Sequence, residues 1–476
     1  MMWGRWIGWL LIGLLCQQAT AQTVDLSGVV NDYFPVNAID RCANAVVLDS
    51  VTGLTVGDHV VIHQAQGATV DRTQTAAHGQ VQQRNGAGRF DWNEIRGIRQ
   101  DTVFLRHVVF GGFDVTGHVQ LVRVAYHQNI NIQDTIRPRP WDGRTGGIVA
   151  LEADGALNFI GPIVASGMGF RGGDTLNEAN CNPFANLLYS SDVNGGIGGF
   201  KGEGITNPDP NHTLGRGPNA NGGGGGNDHN TGGGGGSNAG AGGEGGQRLN
   251  APFGCGGPFP GLGGYALTPT GQRAFFGGGG GAGDQNNLVG TPGGNGGGIV
   301  LIKAPNIQAN GRVVDVTGQS VTAIAGGDGS GGGGAGGTVI IDASFINGSI
   351  LVNAHGGDGG STNNSNDPSF CMGPGGGGGG GFVSFSFPQP NPNTNIFTNI
   401  QGGLAGVTVN ANANAACAGS TNGAQPGQNG TVQWSGDTIR TARDWTPIVA
   451  QTAQSNYTIC EGQQITLSGG GGDTYL

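Results

Sequence analysis

The chain has 476 residues, of which 102 are glycine and only 21 proline. Glycine stands at about three times its ordinary share, but no Gly-X-Y period accompanies it and imino acids are scarce, which excludes collagen. The net charge is −10 with 11% charged and 36% hydrophobic residues; that is too little charge for a chain kept unfolded by self-repulsion, and without a basic cluster there is no footprint for nucleic acid.

Residues 1–21, MMWGRWIGWLLIGLLCQQATA, place Arg5 before an apolar stretch from Trp6 to Cys16 and end on Ala19-Thr20-Ala21. This order predicts a secretory signal with a small-x-small cleavage site. The apolar run is too short to span a bilayer. Lipidation of Cys16 is the weaker reading, because Leu15 stands where a small residue is needed. The mature chain is therefore expected outside the cell or on its surface, and not as a membrane-spanning protein.

Residues 22–140 carry ordinary glycine, 11 in all. Short apolar runs, Ala45-Val-Val-Leu48, His59-Val-Val-Ile-His63, Thr102-Val-Phe-Leu105 and Val119-Gln-Leu-Val-Arg-Val124, are punctuated by Gly53, Gly57-Asp58, Gly111-Gly112 and Gly117. Such runs at about ten-residue spacing, without a helical period, predict a small antiparallel barrel or sandwich. Six of the nine histidines fall between His59 and His127. On a strand, His59 and His63 stand about 13 Å apart, too far to share one metal ion, so these histidines read as solvent-facing.

Residues 141–434 repeat. A Gly-Gly pair precedes a strand-like run four times: Gly146-Gly147-IVALEA, Gly297-Gly298-IVLIKA, Gly336-Gly337-TVIIDA and Gly380-Gly381-FVSFSF. Second strands follow at Pro162-Ile-Val-Ala-Ser-Gly167, Arg312-Val-Val-Asp-Val-Thr-Gly318 and Ser349-Ile-Leu-Val-Asn-Ala354, and each returns through glycine. The unit is strand, turn, strand, Gly-rich return. Strands this short bury no face alone, whereas stacked copies share a core, so the pattern predicts an all-β chain ending in a parallel β-helix-like solenoid.

A Gly-rich insertion, residues 175–297, separates the first two copies. Residues 191–300 hold 42 glycines, including Gly222–Gly226, Gly232–Gly236 and Gly277–Gly281. Two readings stand. One is a flexible linker. The other is ordered packing of threefold, polyproline-II-like segments, whose lack of side chains lets neighbours approach closely. Interleaved Phe253, Phe259, Leu262, Tyr265, Phe275 and Phe276 favour the second.

Six cysteines follow the signal: Cys42, Cys181, Cys255, Cys371, Cys417 and Cys460. No CxxC occurs, which argues against zinc, and export favours disulfides. Cys181–Cys255 and Cys371–Cys417 are the favoured pairs, each closing a Gly-rich loop; the other two stay unassigned. Residues 435–455 read as a linker. Residues 456–476, with Cys460-Glu-Gly before the alternating Ile465-Thr-Leu467, read as the opening hairpin of a truncated Ig-like or PKD-like domain.

Gly57-Asp-His-Val-Val-Ile-His-Gln-Ala-Gln-Gly67, Val119–Val124, Trp141-Asp-Gly143, Gly277–Gly281, Thr291-Pro-Gly-Gly-Asn-Gly-Gly-Gly-Ile-Val300 and Cys460-Glu-Gly form an ordered set. Together they resemble the N-terminal regions of very large secreted surface proteins of gliding bacteria. Those proteins carry Ig-like or PKD-like modules and a C-terminal sorting domain for type IX secretion. The resemblance implies an adhesin-like surface role and transfers no catalytic residue.

A β-helix polysaccharide lyase or glycoside hydrolase is the alternative. It needs two carboxylates at fixed separation, or an acidic calcium cluster beside a base. The repeats offer Glu152, Asp154, Asp174, Asp315, Asp328, Asp342 and Asp358. Gly-Gly-Asp recurs at Asp174, Asp328 and Asp358, which invites one shared ridge, but Asp after two glycines is more simply a turn residue accepting backbone N–H groups. The calcium nonapeptide, the Gly-x-Ser-x-Gly elbow and the phosphate loop are unmatched, so neither a catalytic residue nor a cofactor is assigned, and calcium at Asp174, Asp328 and Asp358 is the lesser reading beside turn chemistry. The expected function is structural: a non-catalytic chain that displays or spaces binding modules against extracellular polysaccharide or other surface components.

Overall fold

The computed structural model describes residues 22–109, 112–177, 188–193, 198–249, 258–268, 273–363, 371–392, 395–409 and 417–439. The signal, the Ig-like opening and Cys181, Cys255 and Cys460 lie outside these. Among the described residues regular structure is all β, apart from short 3-10 turns at Val115–Gly117 and Pro210–His212. No helix there is long and apolar enough to cross a membrane.

In chain order the first strands are β1 (Thr23–Gly28), β2 (Tyr33–Asp40), β3 (Ala45–Leu48), β4 (His59–Gln64), β5 (Thr69–Val70), β6 (Val81–Gln83), β7 (Phe90–Arg99), β8 (Thr102–Leu105) and β9 (Val119–Arg123). Six of them close a barrel in the order β2-β3-β8-β7-β4-β9, with antiparallel pairing throughout. Alternate positions supply its interior: Phe34, Val36, Val46, Leu48, Val60, Ile62, Ile95, Val103, Leu105 and Leu121. The strands β5 and β6 form a separate hairpin.

The next strands are β10 (Ala125–His127), β11 (Asn129–Ile136), β12 (Ile148–Ala153), β13 (Ala156–Phe159), β14 (Ile163–Val164), β15 (Ile299–Lys303), β16 (Asn306–Gln308) and β17 (Arg312–Asp315). They are followed by β18 (Thr338–Asp342), β19 (Phe345–Asn347), β20 (Ile350–Asn353), β21 (Phe382–Phe385), β22 (Ile396–Asn399) and β23 (Thr431–Gln433). All pair in parallel. One wall runs β10-β12-β15-β18-β21-β23, while the long β11 feeds two further ladders, β13-β16-β19 and β14-β17-β20-β22. The four Gly-Gly repeats become β12, β15, β18 and β21, and the second strands of the repeat become β14, β17 and β20.

Stacking explains why the repeats are β-branched. Val149, Val300, Val339, Val383 and Val432 stand in direct register on five successive strands, and the first four are fully buried. Burying each valine is worth about 1.5 kcal/mol or more, and a branched side chain suits the pleated ladder. The solenoid begins before Trp141: β1 pairs with β11, and β10 with β12. The chain thus enters the solenoid, leaves to build the barrel, and returns.

The described parts of the insertion are ordered, with the threefold packing that one of the two readings described. Along Gly277–Gly283 the amides serve three neighbours in rotation. Gly277, Gly280 and Gly283 donate to Gly297, Gly294 and Thr291; Gly278 and Gly281 donate to Ser237 and Gly234; Gly279 and Ala282 donate to Glu203 and Phe200. A step of three residues on one segment matches a step of three on its neighbour, as three residues per turn require. Gly332–Gly337 and Gly375–Gly381 continue the lattice into the coil returns. These glycines do not adopt the left-handed conformation; what they supply is space. A Cβ on Gly281 would overlap the carbonyl of Gly224, and one on Gly378 the carbonyl of Gly334.

Candidate functional site

A buried polar cluster sits where the barrel meets the solenoid. In β4, Val60 and Ile62 point into the barrel, so His59, Val61 and His63 point out, against β12 and the glycine bundle. His59 Nδ1 lies 2.5 Å from Glu152 Oε2, and Trp92 Nε1 donates to the same oxygen at 3.0 Å. Both His59 and Glu152 are 3% exposed. Tyr126 stacks on the His59 ring at 3.9 Å with a 4° tilt, and its hydroxyl donates to Asp154 Oδ2 at 2.6 Å. His63 is fully buried, with its Nε2–H on Ala274 O at 2.9 Å, and burial pushes its pKa down to about 4.

His59, His63 and the equally buried His78 therefore correct the solvent-facing reading. A strand in the middle of a barrel is buried on its second face as well once another domain covers it.

Parallel register extends the cluster into a row, Tyr126–Glu152–Lys303–Asp342. Lys303 Nζ donates to Ile439 O at 2.9 Å, and Ile439 N donates to Asp342 Oδ2 at 2.9 Å. One end of the row fastens the barrel and the other fastens the segment after β23. An imidazole–carboxylate pair acts as a general base only where its free nitrogen reaches substrate. Here tyrosine covers the ring and the carboxylate is sealed, so the arrangement works as a clamp.

Two clefts lie nearby. One, about 270 Å³, is lined by Val36, Asn37, Thr116, His118, Val119 and Arg144, among others. Arg144 is held by Asp49 at 2.9 Å and by Asn37 Oδ1 at 2.7 Å. His118 has φ of 56° as the C-cap of the 3-10 turn, and burial lowers its pKa, with Arg144 and Arg171 adding to the effect against Glu203. The other, about 350 Å³, lies between the β5–β6 hairpin and the bundle, lined by Gln80, Gln82, Arg84, Tyr265 and Leu267 with two neighbours. No carboxylate lines either cleft. Among the described residues no group of three or more His, Cys, Asp or Glu is arranged to hold a metal ion.

Of the acids singled out from sequence, Glu152 and Asp342 stand in the parallel row, and Asp154 meets its Tyr126. Asp315, Asp328 and Asp358 instead serve separate local backbone groups. Asp315 accepts the N–H and hydroxyl of Thr317. Asp328, fully buried, accepts three backbone N–H groups, from Asn286, Asn287 and Val289. Asp358 accepts Leu404 N at 2.7 Å. The shared ridge does not form. Val164, Asp315 and Asn353 are in register, and Asp174, Asp328 and Asp358 follow them by ten, thirteen and five residues.

Cys371 and Cys417 form the expected disulfide, Cα–Cα 5.9 Å, and Cys42 is also disulfide-bonded. Three groups went unnoticed in the sequence: Trp92 on Glu152, the contact of Lys201 with His78, and a set of buried oxygens around Asp228. The only available signal was that Lys201 is one of just two lysines in the chain.

No protein-family model and no curated relative matches the sequence. Among solved structures the chain is similar to the Gp54 tailspike of Acinetobacter baumannii bacteriophage AP22, in complex with A. baumannii capsular saccharide. The two share 10% identity over 79% of this chain and 67% of the tailspike, with a TM-score of 0.17. A TM-score at that level carries no argument about fold or site.

Proposed function

We propose that this chain is a non-catalytic, exported surface module, adhesin-like, that spaces or displays binding domains, as its sequence resemblance to secreted surface proteins of gliding bacteria implies. On this reading residues 1–21 direct export, type IX sorting follows from a downstream domain, and the partners are extracellular polysaccharide or other surface components. The observation that carries the reading is the glycine lattice. Gly332–Gly337 and Gly375–Gly381 are each hydrogen-bonded to neighbours on three sides, a construction suited to stiffness. The repeat carboxylates Asp315, Asp328 and Asp358 serve backbone N–H groups, which supports a structural role over hydrolysis or elimination.

Incubation with pectin, alginate and chondroitin should release neither reducing ends nor unsaturated products, while intact producing cells shaved with protease should lose the chain. Product release that disappears in Asp328→Asn or Asp358→Asn would establish the β-helix enzyme instead.

A further inference from the structure

At one end of the glycine bundle three turns meet, and they leave several buried oxygens without donors. Asp228 is 6% exposed. Its Oδ1 accepts His229 N at 2.9 Å, whereas its Oδ2 is buried with no hydrogen-bond partner. Asn230 is 2% exposed. Its amide nitrogen donates to Gly327 O at 3.0 Å, so its Oδ1 is the branch turned away from Gly327, buried and likewise without a partner. Asn286 Oδ1 is in the same condition, while its backbone N–H is fixed by Asp328 at 3.1 Å.

The turns are tied closely. Asn230 N donates to Asp284 Oδ1 at 2.7 Å, Asp284 N to Thr231 O at 3.0 Å and Gly329 N to Asp284 O at 2.8 Å. These bonds hold residues 228–231 against residues 284–286 and 327–329, segments that carry the side chains of Asp228, Asn230, Asp284 and Asn286.

Buried acceptors of this kind need a cation or a donor, because an unpaired buried oxygen forfeits its hydration. The Arg248 guanidinium faces both Asp228 and Asp284. Even so, burial holds the Asp228 pKa up to about 6 against the pull of Arg248 and Arg216. Neither guanidinium donates a hydrogen bond to Asp228 Oδ2, which stays buried without a donor.

We propose that Asp228, Asn230, Asp284 and Asn286 form a calcium site that ties the turns of residues 227–231, 284–287 and 327–329 together. Calcium takes six to eight oxygen ligands and accepts mixtures of carboxylate, carboxamide, backbone carbonyl and water. Sites of modest charge in extracellular modules bind at about 10⁻⁴–10⁻³ M. The role is structural, so the site goes beyond the display function without depending on it.

The test uses the full chain, dialysed against chelator and titrated calorimetrically with CaCl₂, with MgCl₂ and NaCl as controls. Saturable binding of one calcium per chain is expected, with a thermal midpoint about 2–4 °C higher in saturating calcium. Asp228→Asn and, independently, Asn286→Ala should weaken binding at least tenfold. Absence of saturable heat in the wild type, an equal response to magnesium or sodium, or unchanged affinity in Asp228→Asn would each overturn the site and leave these oxygens to buried water.

Discussion

The amine of Lys201 lies 3.0 Å from Nε2 of His78, two basic side chains in contact inside the protein. His78 Nδ1 faces Thr73 O at 3.0 Å and carries the proton, so Nε2 accepts from Lys201. The contact joins the loop of the β5–β6 hairpin to the glycine bundle. Around it stand Arg72, His212 and Asp209, the last bound to His212 at 2.7 Å. Burial pulls Lys201 well below its ordinary pKa, with Arg72 adding to the effect, and it takes His78 down to about 4, with Lys201 and Arg72 adding.

Both groups bind protons less readily folded than unfolded, so the stability of the contact is present at high pH and lost on acidification. For His78 the loss should run from about pH 6.5 down to about 4. Amide exchange of residues 71–80, corrected for intrinsic rates, should speed up over that window. Lys201→Met should reduce the change, and a variant that loosens as steeply as the wild type would show that other groups cause it.

The glycine lattice is expected to tolerate no side chain. Gly378→Ala places its methyl on the carbonyl of Gly334, backbone that cannot swing aside, and should cost about 3 kcal/mol or more. Gly112→Ala meets nothing within 4 Å and should stay within about 0.5 kcal/mol of wild type. Denaturant unfolding of both variants checks the contrast.

Glu152→Ala removes the acceptor shared by His59 and Trp92 and leaves both donors buried. A loss of about 3 kcal/mol is expected, with earlier proteolytic separation of barrel from solenoid. Glu152→Gln keeps the shape and one acceptor oxygen and should lose less. Equal melting of all three proteins would argue that the clamp carries no load.

The Cys371–Cys417 bridge spans 46 residues. Replacing both cysteines by serine should lower stability by about 2–4 kcal/mol through the freed loop entropy of the unfolded chain. Melting both proteins with and without reductant measures it, and reductant should abolish the difference between wild type and double variant.

The solenoid walls were readable because each coil starts from the same signal, two glycines before a β-branched run, and Val149, Val300, Val339 and Val383 repeat at matching positions. The barrel was readable from its alternating strands. The junction was not. His59-Val-Val-Ile-His63 has polar residues where a covered face would carry apolar ones, and the covering residue, Glu152, lies 93 positions away. Neighbour relations within the bundle were equally hidden, since a glycine carries no side chain to record what it touches. Lys201 and His78 are 123 residues apart, beyond the reach of local pattern.

The threefold rotation of donors along Gly277–Gly283 has a consequence for how such a chain can change length. Deleting three residues from a glycine run returns each remaining amide to a neighbour of the same kind, one turn along. Deleting one rotates all later amides by about 120°, onto carbonyls already taken. Growth and loss in these segments should therefore proceed in triplets, so that the backbone itself imposes a reading frame on the protein.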